Sequence, residues 1–444
     1  MSTLSGWGRY PRLPTRLHAP RDPAGLAALV GGAAETGGLV ARGLGRAYGD
    51  SAVGRQTVSM RHFDRMIAFD PASGQLIAEA GVSLGEIIAA FLPRGWFPAV
   101  TPGTRFVTLG GAIAADVHGK NHHIDGSFSA FVDWIELMGA DGQVRRCSRQ
   151  ENPTLFGWTC GGMGLTGVIL RAAIRLRRVE SGWITQRVVP APGLAALLEA
   201  FDTHAASPYS VAWLDCLGQG AALGRGLVML GAHARADDLP AALRAQPFTT
   251  PRRPALALPV DLPSFALNRW SLRAFNALYY ARGQRRAGPG LIDWSRYFYP
   301  LDAIGQWNRL YGRRGFVQFQ CALPLDGGAL GLQSLLARIE AAGTGSFLAV
   351  LKRFGPQQSA VAFPMEGYTL ALDFPVNPRA LALMTELDRI TLDHGGRFYL
   401  AKDARLEGDL LKRADPRWAR FAAMRRAEGL AGTFISAQSQ RLDL

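Results

Sequence analysis

Two glycine-rich stretches, ARGLGRAYGDS (41–51) and PGTRFVTLGGAIAADVHG (102–119), stand about sixty residues apart. Glycine at this density weakens helix and strand interiors, so the first stretch reads as a turn between strands and the second as another backbone cradle. Their use is close approach: backbone N–H groups without a neighbouring Cβ can reach an anion. Taken singly, either stretch is an ordinary turn. As a pair flanked by Arg42 and Arg46, they point to a pyrophosphate held from two sides. Gly43-Leu44-Gly45 begins a G-x-G motif, but the dinucleotide fingerprint needs glycine at 48, where Tyr48 stands. A Rossmann NAD site is therefore disfavoured.

Around these turns, strands and helices mix without a regular βαβ rhythm, so α+β is expected rather than a doubly wound sheet. A helix is expected over 24–35, strands over 38–42, 57–60, 66–70 and 75–81, and a helix over 83–95 opened by Ser83. Residues 132–148 read as a hairpin turning at Asp141-Gly142, and 164–179 as a long apolar strand. After about residue 185 come a helix near 190–204, strands over 209–217 and 224–234, and a Pro- and Arg-rich stretch over 248–290. Regular structure resumes over 297–324. Helices over 330–342 and 378–394, strands near 346–353 and 367–374, and a mostly helical tail follow. A length of 444 residues exceeds one ordinary core and fits two domains or more.

The net charge of +14 leaves three classes of anionic partner: nucleic acid, a membrane surface, or a phosphorylated substrate. No zinc finger, RNA-recognition signature or basic zipper is present, so no nucleic acid is expected. No apolar run is long enough to span a bilayer, and the N-terminus has no apolar signal core, so a cytoplasmic protein is expected. Cys147, Cys160, Cys216 and Cys321 are scattered without CxxC spacing and read as buried thiols. His118, His122 and His123 crowd HGKNHH, but spacings of four and one match no common ligand pattern, so no metal is expected.

RGLGRAYGDSA, PGTRFVTLGGAIAADVHGKNHHIDGSF and LTGVI together resemble the FAD-binding domain of the vanillyl-alcohol-oxidase (PCMH-type) superfamily. Within it, HGKNHH, SVAWLDCL, VQFQ, FLAVLKRFGP and GGRFYLAKDAR are similar to the decaprenylphosphoryl-β-D-ribose 2′-oxidase family. The resemblance implies an FAD-binding domain over 1–182, a sheet-based substrate domain over 183–396, and a C-terminal segment, 397–444, returning to the first domain. It implies cofactor contacts from Ala41, Arg42, Gly43, Leu44, Gly45, Arg46, Ala47, Tyr48, Gly49, Asp50 and Ser51 in the first stretch. From the second it implies Gly103, Thr108, Leu109, Gly110, Gly111, Ala115, Asp116, Val117 and His118, with Val168 at the adenine end and Tyr399 near the flavin. Lys402, His118 and Tyr48 are the implied catalytic residues. Lys120, Gln318, Gln320, Lys352, Phe354, Asp373 and Lys402 are the implied substrate contacts.

Covalent relatives carry histidine where Arg46 stands, so FAD is expected to be non-covalent. Thr369 and Ala371 stand where actinobacterial members carry asparagine and cysteine. The implied reaction oxidises the ribose 2′-hydroxyl of a polyprenyl-phosphoryl ribose to the 2′-keto sugar. It is the first half of an epimerisation that a short-chain reductase completes, toward arabinose for the cell envelope. A quinone or O₂ would reoxidise the flavin. Two other readings stand beside it: an oxidase of a soluble polyol or sugar lactone, and a flavin-free basic surface-binding protein. Between Arg252 and Arg286, seven arginines interleave with Trp270, Leu272, Phe275, Leu278 and Tyr279. That pattern fits either a packed helix or an interfacial segment, placing the chain at the inner face of the membrane.

Overall fold

The computed structural model describes residues 1–251, 256–263, 268–346 and 348–444. Three principal sheets carry the chain. The first runs Ser2–Leu4, Leu13–His18, Gln56–Ser59, Leu39–Arg42, and its last three strands are parallel. The second is antiparallel, in the order Met66–Asp70, Gln75–Glu79, Val168–Arg178, Val132–Met138, Val144–Ser148, with Trp96–Pro98 pairing the far end of Val168–Arg178. Helix Leu84–Phe91 packs Leu84, Ile87, Ile88 and Phe91 inward, one face at helical spacing, and starts at a Ser83–Glu86 capping box.

The third sheet has eight antiparallel strands: Gly288–Asp293, Trp183–Ala191, Gly226–His233, Tyr209–Leu214, Ala349–Phe354, Gly367–Pro375, Phe316–Pro324 and Arg397–Phe398. Helices Leu194–Thr203, Gly328–Ala342 and Pro378–Asp393 pack against it. Mixed and antiparallel sheets with segregated helices make the fold α+β. The tail comes back to the first sheet. The Leu39 N–H donates to the Thr433 carbonyl, and the Ile435 N–H donates to the Leu39 carbonyl. Arg425, fully buried, donates to the carbonyls of Leu165, Phe434 and Leu444.

Several elements are shorter than their sequence patterns. The strand expected from 164 begins at Val168, because Met163 (φ 57°), Gly164 (φ 76°) and Gly167 (φ 152°) hold a loop before it. The first helix, Pro23–Gly31, stops before the expected 35, and a separate 3₁₀ turn, Ala34–Thr36, follows it. The Pro- and Arg-rich stretch contains a helix, Arg269–Gln284, and the edge strand Gly288–Asp293. Parts of that stretch, 252–255 and 264–267, lie outside the described residues. Among the described residues, no helix is long and apolar enough to cross a membrane.

Where the second and third sheets meet, His233 sits in an aromatic cluster with Phe97, Tyr209 and Phe298, and neither ring nitrogen has a partner. Burial, and then the nearby Arg177 charge, pull its pKa from 6.5 to about 4. Between those pH values the unfolded chain binds a proton that the folded chain refuses, so stability is full above pH 6.5 and is lost as pH falls toward 4. The loss should reach up to about 3 kcal/mol. Urea midpoints measured across this window should fall less steeply for His233→Phe than for the natural chain. Equal slopes would remove His233 as the cause.

Candidate active site

A cavity of about 570 Å³ lies between the glycine loops and one face of the eight-stranded sheet. Lining residues come in pairs two apart: Gln186 and Val188, Val211 and Trp213, Leu227 and Met229, Val350 and Lys352, Gln318 and Gln320. That is the period of a strand, so one sheet face forms the wall.

The first glycine loop follows strand Leu39–Arg42. Gly45 takes φ 64°, and a Cβ on Gly43 would lie 2.2 Å from Thr108 Oγ1. Glycine is what allows the two loops to touch. Thr108 in turn caps helix Leu109–Ala114 by accepting from the Gly111 N–H. Among the described residues, no protein acceptor takes the N–H groups of Gly43 to Ala47. Such a run must be satisfied by a ligand or by water. A Cβ on Gly103 or Gly164, both lining the cavity, would meet nothing within 4 Å, so there is room beside them.

Several residues expected at the cofactor turn elsewhere. Arg42 donates to the carbonyls of Ser5 and Ala52, closing the loop from behind. Gly49 is pressed against the Asp403 carbonyl, and Asp50 is paired with Arg441 at 2.8 Å. Asp116 accepts from Ser127 Oγ, the Ser129 N–H and Gln357 Nε2, which shapes its own loop. Leu109 and Val168 are core side chains. The remaining expected cofactor residues, Ala41, Gly43, Leu44, Gly45, Arg46, Ala47, Tyr48, Ser51, Gly103, Thr108, Gly110, Gly111, Ala115, Val117, His118 and Tyr399, line the cavity. The Arg46 guanidinium lies 4.0 Å from the centre of the Trp7 ring, with its Nε unpartnered.

On the sheet side a hydrogen-bond chain fixes His118. Thr369 Oγ1 donates to the Cys321 carbonyl, so it can only accept from Gln320 Nε2. The same amide donates to His118 Nε2 at 3.1 Å. His118 therefore carries its proton on Nδ1, which is buried without a protein partner. Burial, then the Lys352, His122 and Lys402 charges, keep the ring neutral. Tyr399 stacks on Phe363 and donates to the Ala115 carbonyl. Phe354, expected at the substrate, lies behind His118 and His122 with ring centres 4.8 and 4.4 Å away, and does not line the cavity. His122 accepts from the Gly355 N–H at Nδ1 and donates to Gln357, while His123 bonds the Ser207 carbonyl. The three histidines are thus separated in role. Among the described residues, no His, Cys, Asp and Glu cluster could hold a metal.

Three amines converge on the cavity. Lys402 Nζ lies 3.6 Å from the centre of the Tyr48 ring. Lys120 contacts the Tyr297 carbonyl and sits 4.1 Å from that ring's centre. Burial lowers Lys120 to about 7 and Lys352 to about 8. Burial likewise lowers Lys402, opposed by Asp373. Asp373 itself is fully buried behind the wall, where it accepts from Gln318 and is raised by its burial. The chain has only four lysines beside 45 arginines, and three of the four are these. That scarcity is a sequence signal that motif spacing misses. Tyr297, Tyr279, Arg282 and Arg286 also line the cavity, and no spacing in the sequence marks them.

Residues 14–148 match a family described as an FAD binding domain. Across 452 residues the chain is 36% identical to the decaprenylphosphoryl-β-D-ribose oxidase of Mycolicibacterium smegmatis, covering 99% of this chain and 97% of that protein. The chain belongs to the decaprenylphosphoryl-β-D-ribose oxidase family. An uncharacterised protein of Streptomyces coelicolor is 34% identical over 378 residues, covering 82% of this chain and all of that one. The Delta(24)-sterol reductase of Rattus norvegicus is 33% identical over 126 residues, which is 28% of this chain and 23% of that protein. As a member of the oxidase family, the chain is an FAD-dependent oxidoreductase. Its residues fit that cofactor. The open N–H run at 43–47 suits a pyrophosphate, the space beside Gly103 and Gly164 admits it, and the unpartnered His118 Nδ1–H offers a donor.

Proposed function

We propose that the chain oxidises the ribose 2′-hydroxyl of a polyprenyl-phosphoryl-β-D-ribose to the 2′-keto sugar. The supporting observation is the set of three desolvated amines around one cavity, with Gln318 and Gln320 on the same wall. When bound, FAD supplies the acceptor for the hydride. Lys402, with its affinity for protons lowered by burial, takes the hydroxyl proton. Lys120 and Lys352 draw the phosphate inward, and the two glutamine amides orient the sugar hydroxyls. A phosphodiester anion between these amines would raise their pKa values and favour their charged forms.

The division into an FAD-binding domain (1–182), a substrate domain (183–396) and a returning segment (397–444) belongs to the same reading. So do a short-chain reductase that completes the epimerisation and a quinone or O₂ that reoxidises the flavin. Anaerobic flavin bleaching tests the substrate. Polyprenyl-phosphoryl ribose should bleach the flavin and free sugars should not, whereas turnover of free alditols with peroxide release would point to a soluble-polyol oxidase. Lys402→Ala should keep FAD and the fold, yet slow substrate-driven flavin reduction at least about 100-fold. Near-normal reduction in that variant would end the role.

FAD is held non-covalently in this reading. Arg46 rests on Trp7, and all four cysteines are buried away from the cavity. Acid precipitation should leave the yellow colour in the supernatant; colour in the pellet would show a covalent link.

In this reading the chain docks at the inner face of the membrane, where a lipid-tailed substrate lies. Helix Arg269–Gln284 carries Tyr279, Arg282 and Gly283 at the cavity. It also exposes Trp270 and Leu278 at 75% and 73%. The expected apolar stripe is narrower than its spacing implies, because Leu272 turns into the core. Arg269 and Arg273 reach Glu340, while Arg282 and Arg286 line the cavity. Anionic vesicles should co-sediment the protein, and high salt or the pair Trp270→Ser and Leu278→Ser should weaken binding. Equally negligible binding to anionic and neutral vesicles at low salt would refute membrane docking.

A further inference from the structure

Between the eight-stranded sheet and the second glycine loop, four polar groups form one buried line. They are the Cys321 carbonyl, the Thr369 hydroxyl, the Gln320 amide and the His118 ring. Gln320 stands opposite Ala371, and Thr369 stands opposite Ala322, on the paired strands Phe316–Pro324 and Gly367–Pro375. Their side chains are therefore diagonal neighbours on one sheet face. All three side chains of the line are buried. Gln320 and His118 line the active-site cavity, whereas Thr369 does not. Anything Thr369 does for the site is done through Gln320.

The order of donors and acceptors along this line leaves little choice. A hydroxyl has one proton, and that of Thr369 goes to the Cys321 carbonyl at 2.8 Å. Toward Gln320, 3.2 Å away, the Thr369 oxygen can only accept. An amide oxygen turned to it would set lone pair against lone pair, so the amide nitrogen must face it. The second proton of that nitrogen meets His118 Nε2 at 3.1 Å. An amide nitrogen cannot accept, so Nε2 carries no proton. Two results reach the cavity. Gln320 Oε1 has no protein donor among the described residues and is open to the space that the residue lines. The one proton of the neutral His118 ring sits on Nδ1, which is buried without a protein partner. Phe354, Phe363 and Tyr399 pack around that ring, with centres 4.8, 5.7 and 5.0 Å away, and hold its plane.

We propose that Thr369 is a positioning residue for the oxidation: its hydroxyl fixes Gln320 so that the amide oxygen meets a substrate hydroxyl, and so that the His118 proton stays on Nδ1 for the cofactor. This rests on the cavity being the site of ribose oxidation. The fixed amide makes a choice among substrate groups. An oxygen that only accepts admits a hydroxyl proton and turns away a phosphate, whose oxygens also accept. The phosphate is left to Lys120 and Lys352, and the sugar enters in one orientation. Without a hydroxyl at 369, the amide loses the acceptor that distinguishes its two ends. Turned over, it would present its NH₂ to the cavity and its oxygen to His118 Nε2, which would then have to carry the proton.

The test compares the FAD-loaded full chain with Thr369→Val, which keeps the shape, and Thr369→Ser, which keeps the hydroxyl. Each is checked for fold by circular dichroism, and Thr369→Ala replaces the valine variant should that one not fold. Ring nitrogen-15 NMR of the chain labelled at its eight histidines reads the tautomer without any substrate. The His118 signal is the one missing from His118→Asn. The natural chain and Thr369→Ser should both show a protonated Nδ1, and Thr369→Val should move the signal toward the Nε2-protonated form. In anaerobic bleaching with a short-chain polyprenyl-phosphoryl ribose, Thr369→Val should raise the apparent Kd about tenfold, and Thr369→Ser should stay within about threefold of the natural enzyme. An unchanged His118 tautomer in Thr369→Val would overturn the proposal. So would an equal loss of affinity in Thr369→Ser and Thr369→Val, which would make residue 369 a packing residue only. If the natural enzyme did not bleach with this substrate, the substrate assignment would fall, and the substrate-free tautomer comparison would still decide the role of Thr369.

Discussion

One guanidinium holds the two halves of the active site in register. Arg441, near the end of the chain, pairs at 2.8 Å with both Asp50 of the first glycine loop and Asp403 beside Lys402. Both carboxylates are nearly inaccessible. Removing their shared partner would leave two buried charges uncompensated, the costly direction for a buried ion pair. The neighbouring contacts depend on the same clamp. The Tyr48 N–H donates to the Ala401 carbonyl, and Gly49 lies so close to the Asp403 carbonyl that no Cβ would fit. These contacts put the Lys402 amine over the Tyr48 ring. The tail is therefore a structural part of the cofactor loop, although about 350 residues separate them.

The identity of the cationic residues follows from what a cavity can use. Arginine stays charged in almost any environment, whereas a lysine amine gives up its proton when burial removes its hydration. This chain spends arginine nearly everywhere, in pairs such as Arg405 with Asp388 and Arg417 with Asp415. It places three of its four lysines where a titratable amine is desolvated. Three amines facing one another are mutually repulsive, and only Asp373 among the nearby carboxylates offsets Lys402. The cavity is thus short of negative charge, a deficit that a phosphorylated substrate would fill.

The two glycine loops were legible because glycine permits close backbone approach, whereas the YLAKDAR segment was legible only through its resemblance to the family. The pairing of Gln318 with Gln320 was legible because strand side chains alternate. Direction within a loop was not legible. Arg42, Gly49, Asp50 and Asp116 share a motif with cavity residues, yet hydrogen bonds and packing turn them toward the tail and neighbouring loops. Phe354 follows the strand period of Lys352, but the His118 ring covers it. The apolar run ahead of Val168 looked like strand because periodicity does not register the positive φ values that break it. Asp373 was found as a polar residue of the site, but its place behind the wall depends on sheet pairing with Gln318, which no local pattern encodes.

The wall composition bears on what enters the cavity. A sugar ring needs hydrogen-bond partners on most of its edges, and Gln318, Gln320, Lys352 and Lys402 can supply them at one end. Further along the same sheet face the lining changes to Val188, Val211, Leu227 and Met229, with Trp213 and Tyr279 beside them. Apolar surface of this kind gains nothing from a free polyol, whose hydroxyls would lose water without replacement partners. It does gain from an isoprenoid chain, at about 25 cal/mol for each Å² removed from water. Arg282 and Arg286 line this same region, beside the helix that exposes Trp270 and Leu278. A polar end, an apolar corridor and a basic rim in that order match a molecule with a sugar phosphate at one end and a hydrocarbon tail at the other.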